Sequence, residues 1–375
     1  MDSPVILNSD PIIAQRNLAR LEHSRPRLCF VGPMVGRHPG YVTTQGEILA
    51  DLFSQEGYPV LAVSTHRNRY MRLVDIVGTL IRRRHEIDIQ CLQVFGGPSF
   101  VVEDIASLIG RKFGQRIIMF IHGGAMPEFM ARHPRWNQRV LGRADIIVAP
   151  SEYLARVIRQ YGFQARVIPN VLELQHYPFR HRRQLTPRLF WMRAFHPIWN
   201  PEMAVRVLAR LKQDLPEATL VMAGQDKGMQ RQIQQLVHRL GLDGAVRFVG
   251  FLDMAGKARE GDAADIFINT TRIDNMPVSV LEACAMGLPV VATAVGGIPD
   301  LLTDGETGLL VPPDDIEAMV GAIKRLLNNP DLAGRLSANG RRLAEQSDWT
   351  RVRPQWEQLF NELMSGTSRE AGEDS

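Results

Sequence analysis

The chain has 375 residues, 45% of them hydrophobic and 22% charged, so its length points to two domains and its composition excludes disordered, collagen-like and mucin-like classes. Charge is split unevenly: residues 1–183 carry 24 Lys+Arg against 15 Asp+Glu, and residues 184–375 carry 20 against 25. An anionic partner for the first half fits this split, and a merely solvated arginine-rich surface fits it equally well; without a zinc-finger spacing or an aromatic RNA-binding signature, nucleic acid ranks low.

Residues 1–25 read as an N-terminal extension with no signal-type apolar core. Strand-like runs follow at 28–31, 60–63, 117–121, 146–148 and 166–168. They resume at 189–191, 219–223, 246–249, 266–269, 289–292 and 308–311. Their nearly unbroken, β-branched hydrophobicity suits parallel strands buried on both faces. Amphipathic stretches at 45–55, 152–160, 201–212 and 229–240 lie between them. The fold class is therefore α/β, with two doubly wound Rossmann-like domains facing a cleft. The expected division is a first domain at 26–178, a linker at 179–187 that starts the pattern afresh, and a second domain at 188–347. A helical segment at 348–365 packs back on the first domain, and 366–375 form a flexible tail. Cys29, Cys91 and Cys284 have neither metal-ligand nor disulfide spacing, which favours a reducing compartment. No apolar run approaches the ~20 residues of a membrane span, so the expected location is cytoplasmic, with peripheral membrane contact as a variant.

Several stretches carry chemical information. The loop after the first strand holds Gly32, Gly36 and Gly40, four residues apart, which is not a dinucleotide fingerprint. Arg67, Arg69, Arg72 and Arg82–Arg84 flank the apolar stretch Met71–Ile81. That stretch is either an ordinary helix packed on the sheet or an amphipathic helix lying on an anionic membrane. His122 ends a buried strand and is followed by two glycines, which favours a ligand-facing imidazole over a satisfied core histidine. In the second half, Pro277 fits the first position of a helix, Asp274 or Asn275 sits near its cap, and Gly287 ends it. Glu282 shares a nearly apolar face of that helix with Val278, Ser279, Ala285 and Met286. A carboxylate there needs partners, either neighbouring backbone or the hydroxyls of a ligand whose phosphate meets the helix N-terminus.

Two carboxylates with seven residues between them, Asp274 and Glu282-Ala283, precede Gly287-Leu288-Pro289-Val290-Val291-Ala292 and Gly296-Gly297-Ile298-Pro299-Asp300. With Ala144–Ser151 and Ile168-Pro169-Asn170, this order resembles the retaining glycosyltransferases of family 4, which have the GT-B architecture, over most of residues 27–362. The resemblance implies a sugar moved from a nucleoside-diphosphate sugar to a hydroxyl acceptor, with retention, in polysaccharide or glycoconjugate synthesis. It implies that Glu282 holds the donor ribose, that Asp274 and His122 meet the sugar, and that Arg193 binds the diphosphate. Gly40 would lie over the diphosphate, and Asn275, Met276, Pro277 and Val278 would line the donor site. No cofactor or metal is implied, and no Asp-x-Asp occurs. The implied partners are the donor and a carbohydrate or lipid-linked acceptor. The chain departs from the family pattern in three places. Asp274 stands where Glu is usual, Gly40-Tyr41 where Gly-Gly is common, and Ala194–Pro201 lacks the lysine expected to help Arg193. Lys227 and Lys257 are the candidates to replace it. Two alternatives stand beside the transferase reading: a non-catalytic relative that binds sugar nucleotides, and a sugar-nucleotide epimerase on the same architecture.

Overall fold

The computed structural model describes residues 25–36, 38, 41–124 and 126–366. Gly40, residues 1–24 of the expected extension and residues 367–375 of the expected tail lie outside the described residues. Twelve strands form two six-stranded, wholly parallel sheets. The first has the order β2-β1-β3-β4-β5-β6 and the second β12-β11-β10-β7-β8-β9.

The first sheet comprises β1 (Leu28–Val31), β2 (Val60–Val63), β3 (Ile89–Phe95), β4 (Arg116–His122), β5 (Ile146–Ala149) and β6 (Ala165–Val167). The second comprises β7 (Arg188–Met192), β8 (Thr219–Ala223), β9 (Val246–Gly250), β10 (Ile266–Asn269), β11 (Val290–Thr293) and β12 (Leu309–Val311). Strand β3 has no counterpart in the sequence reading. Its run Ile-Gln-Cys-Leu-Gln-Val-Phe is broken by Gln90 and Gln93, which hides a central strand. The glutamines are tolerated because they find polar partners inside: Gln90 donates to Gln115 at 2.6 Å, and Gln93 meets His122 at 2.6 Å.

Chain order reverses between β1 and β3 in the first sheet and between β7 and β10 in the second. Open α/β sheets bind ligands outside the carboxyl ends of strands at such reversals. The first sheet is buried on one face by the helices Gln45–Gln55 and Trp349–Ser365, where Trp349 meets Phe53 at 4.9 Å and Trp356 meets Phe120 at 5.4 Å. The last helix thus returns to the first sheet after the chain has built the second. Two connections cross between the sheets side by side, because Leu172 N–H donates to Ser347 at 2.8 Å.

The segment 179–187 does not hang free between the two sheets. Arg180 pairs with Asp262 and Asp265, and the fully buried Arg182 donates to the carbonyls of Gly261, Ala264 and Met286. Helix termini leave carbonyls without intrahelical partners, and one guanidinium with five donors satisfies several at once. The segment is strapped to the second sheet's body.

Candidate active site

Between the sheets lies a cavity of about 590 Å³. Gly36, Tyr41, Gln45 and Ile48 line it from the first sheet's side, and Glu173, His176 and Tyr177 from the crossing segment. From the second sheet come Arg193, Trp199, Gly224, Lys257, Val278, Ser279 and Glu282.

Arg193 follows β7 directly, and its N–H continues the ladder to Ala223 at 3.0 Å. Its guanidinium lies over the Trp199 ring at 5.7 Å and contacts Asp274. The backbone there is packed closely. A Cβ on Gly224, whose φ is +149°, would fall 1.8 Å from the Arg193 carbonyl oxygen, so only glycine fits. Burial lowers the Arg193 pKa to about 10, with nearby Glu282 acting in the opposite direction. The group therefore stays cationic at neutral pH. Its Nε is buried without a partner, as is the Ser279 hydroxyl, and both residues line the cavity.

The helix behind Ser279 runs Val278–Ala285, one residue later than the sequence spacing predicts, with Pro277 in the N-cap position and no side-chain cap. Asp274 and Asn275 do not cap it. Asp274 Oδ1 accepts from Asn275 N–H at 2.9 Å, and Asn275 Oδ1 accepts from Met276 N–H at 2.7 Å. Val280 N–H bonds to the Pro277 carbonyl, which leaves the Val278 and Ser279 N–H groups as the uncapped start of the helix, and the Asp274 carboxylate meets Arg193 instead. Glu282, one turn in, accepts hydrogen bonds on Oε1 from Tyr177 at 2.8 Å and from Lys257 at 2.6 Å.

Residues 183–343 match the family described as Glycosyl transferases group 1, and residues 50–176 match Glycosyltransferase Family 4. The chain belongs to the group 1 glycosyltransferases. This family member is 29% identical over 250 residues to a D-inositol 3-phosphate glycosyltransferase of Geodermatophilus obscurus, covering 61% of this chain and 55% of that one. It is 25% identical over 343 residues to a GDP-mannose-dependent alpha-(1-6)-phosphatidylinositol monomannoside mannosyltransferase of Mycolicibacterium smegmatis, covering 84% and 88% of the two chains. The matched region spans about half the length of the first curated relatives. Among solved structures, sucrose-phosphate synthase from Thermosynechococcus elongatus aligns with a TM-score of 0.75 at 19% identity, covering 91% of this chain and all of that one. Anabaena HepE in complex with UDP-glucose aligns with a TM-score of 0.70 at 19% identity, covering 90% and 100%. Both likenesses establish the GT-B fold.

The structure places the sequence-predicted residues in two groups. Arg193, Val278 and Glu282 line the cavity, and Asp274 touches it through Arg193. Asn275, Met276 and Pro277 are buried in the turn behind the wall and are not among the lining residues. His122 also sits behind it: its ring stacks on Phe95 at 5.1 Å, lies 4.1 Å from Phe120, and meets Gln93. Burial lowers the His122 pKa to about 3, so the imidazole is neutral across the physiological range. The turn after it nonetheless reaches the second sheet, since a Cβ on Gly124 would come within 3.6 Å of Asp274 Cα. Of the two lysines considered as substitutes, Lys257 lines the cavity and Lys227 does not. Tyr177 escaped notice because it sits in an irregular segment 105 residues from its partner Glu282. Gln93 escaped with its strand.

Proposed function

We propose that the protein transfers a sugar from a nucleoside-diphosphate sugar to a hydroxyl acceptor, with retention of anomeric configuration and without a metal. The observation that carries this reading is the buried, cationic Arg193 facing the same cavity as Glu282 and the helix N-terminus at Val278 and Ser279. As the sugar–oxygen bond breaks, negative charge grows on the departing diphosphate. A guanidinium and a helix N-terminus fixed in advance stabilise that charge without reorganising. Lys257 would be the second cation, replacing the lysine absent from Ala194–Pro201. Glu282, freed in part from Lys257 and Tyr177, would accept from the ribose hydroxyls. Asp274, held by Arg193, would meet the sugar.

One relative is named for GDP-mannose and one neighbour was solved with UDP-glucose, so both donors belong in the first test. Purified protein is mixed with each donor, and nucleoside-diphosphate release, anomeric configuration of the product by NMR, and the effect of a chelator are measured. Retained configuration and a rate unchanged by chelator support the reading. Binding without turnover would instead support a non-catalytic relative, and donor conversion without acceptor an epimerase.

The acceptor side of the proposal includes an anionic membrane. On the helix Arg69–Arg82, Tyr70, Met71 and Val74 are each more than half exposed while Ile76 and Leu80 are buried. Among the described residues, no helix is long and apolar enough to cross a membrane. The exposed apolar side chains with arginines at both ends suit a surface-lying helix. Arg67, just before this helix, stacks on the Tyr41 ring at 5.2 Å, and Tyr41 lines the cavity. A lipid-linked acceptor held on this face would have its head group beside the cavity mouth.

A further inference from the structure

Gln93 is almost wholly buried, at 1% exposure, near the carboxyl end of β3 at the first sheet's reversal point. Two elements are shaped around its side chain. Gly32, just after β1, would place a Cβ 2.9 Å from Gln93 Cβ, and Gly46, in the first turn of the helix Gln45–Gln55, would place one 2.6 Å from Gln93 Cδ. Larger residues at either position would expel the amide. A glycine inside a helix costs about 1 kcal/mol relative to alanine, so Gly46 has a local cost that the amide's position explains.

The amide itself is only half satisfied. Gln93 Oε1 lies 2.6 Å from His122 Nε2, while Gln93 Nε2 is buried with no partner. A buried amide donor left unpaired costs about 1–3 kcal/mol, and a leucine of similar size would avoid that cost. Packing alone therefore gives no reason for glutamine here. Its one bond is to the histidine whose following turn abuts the Asp274 loop.

We infer that Gln93 is a positioning residue that holds neutral His122 as the Nε2–H tautomer, leaving Nδ1 as a hydrogen-bond acceptor at the carboxyl end of β4, beside the turn that meets the Asp274 loop. This rests on the transferase reading above. The amide oxygen can only accept, so the ring nitrogen facing it must carry the hydrogen, and the other nitrogen then carries the lone pair. Burial, which keeps the ring neutral, maintains that division.

The test is a long-range 15N–1H NMR spectrum of histidine-labelled protein, with the His122 signal assigned by its absence in His122→Asn. The wild type shows the Nε2–H pattern, Gln93→Leu loses it, and Gln93→Glu, whose carboxylate still accepts, restores it. Turnover follows the same order: Gln93→Leu lowers kcat on the order of tenfold with the donor KM nearly unchanged, and Gln93→Glu recovers part of it. The melting temperature of Gln93→Leu stays level or rises, as removal of an unpaired amide requires. A wild-type Nδ1–H pattern overturns the inference, as does a Gln93→Leu variant with normal kcat. A failure of UDP-glucose and GDP-mannose to turn over in the wild type counts against the transferase reading, while the tautomer pattern still decides what Gln93 does.

Discussion

The two reversal points face the same cleft with opposite chemistry. At the second sheet's reversal, β7 and β10 lead to charged groups, Arg193 and Asp274, and behind them stand Lys257 and Glu282. At the first sheet's reversal stand two uncharged groups, the Gln93 amide and the His122 imidazole, with the buried Glu47 carboxylate tied to the backbone of Gly36 and Thr44. The difference teaches a division of labour. Under the proposed function, the charged side would meet a group whose charge changes, and the uncharged pair on the other side would contribute hydrogen bonding suited to hydroxyls. Four measurements break or sharpen that contrast.

The largest effect is expected at Arg193. Removing one preorganised group that stabilises developing charge costs roughly 10²–10³ in rate, and Arg193→Ala should fall in that range. It should also weaken binding of a nucleoside diphosphate far more than of the nucleoside, read by thermal shift. Equal losses for the two ligands would take the diphosphate away from this wall.

Next come the ground-state contacts. Glu282→Ala and Lys257→Met should each raise the donor KM by about tenfold and change kcat little, the mark of binding equal in substrate and transition state. Asp274→Asn separates local structure from chemistry. Its remaining oxygen can still accept from Asn275 N–H, so stability should hold, while loss of the charge beside Arg193 should lower kcat. A normal single-turnover rate in that variant would remove Asp274 from the reaction.

A smaller effect tests the outer face of the first domain. Binding to vesicles containing an anionic lipid should weaken as salt rises, and exchanging Arg69 and Arg82 for glutamine should remove about 1 kcal/mol for each charge near the surface. Salt-independent binding, or none at low ionic strength, would leave the helix Arg69–Arg82 as a plain packing element.

The pH response of stability is the gentlest probe. His122 has a folded pKa lowered to about 3 from an ordinary 6.5, so the unfolded chain binds the proton more readily between those values. Stability from this group is present above about pH 6.5 and is lost as pH falls towards 3. Glu103, on the helix Phe100–Lys112, behaves in the opposite sense. Burial raises its pKa to about 8, so its contribution is lost as pH rises from 4.5 through 8. His122→Asn should flatten the acidic slope of the melting temperature and Glu103→Gln the alkaline one. An unchanged acidic slope in His122→Asn would mean that the imidazole is not held neutral.

Among the described residues, eleven of the twelve strands are legible in the chain because each is a short, mostly apolar run that needs no knowledge of its neighbours; the central ones are buried on both faces, the edge strands β2, β6 and β9 only in part. The helix Val278–Ala285 and the carboxylate on it are legible too, since the proline before it and the glycine after it are local signals, although the expected Asp274 or Asn275 cap is not formed. Arg193 was found through family resemblance at the end of such a strand. What the sequence by itself determined is therefore the alternation of elements and the residues at their ends. Tertiary structure decided the rest. Lys257 reaches Glu282 across 25 residues and Tyr177 reaches it across 105, and neither separation has a period that a sequence can display. The segment 179–187 reads as a linker because it is polar and irregular, and its bonds to the second body are a tertiary feature added to that reading. It is a strap because Arg182 finds carbonyls offered by helices far along the chain. Strand β3 stayed hidden for the same reason, since Gln93 is tolerable inside a sheet only where glycines leave room for it and His122 meets it.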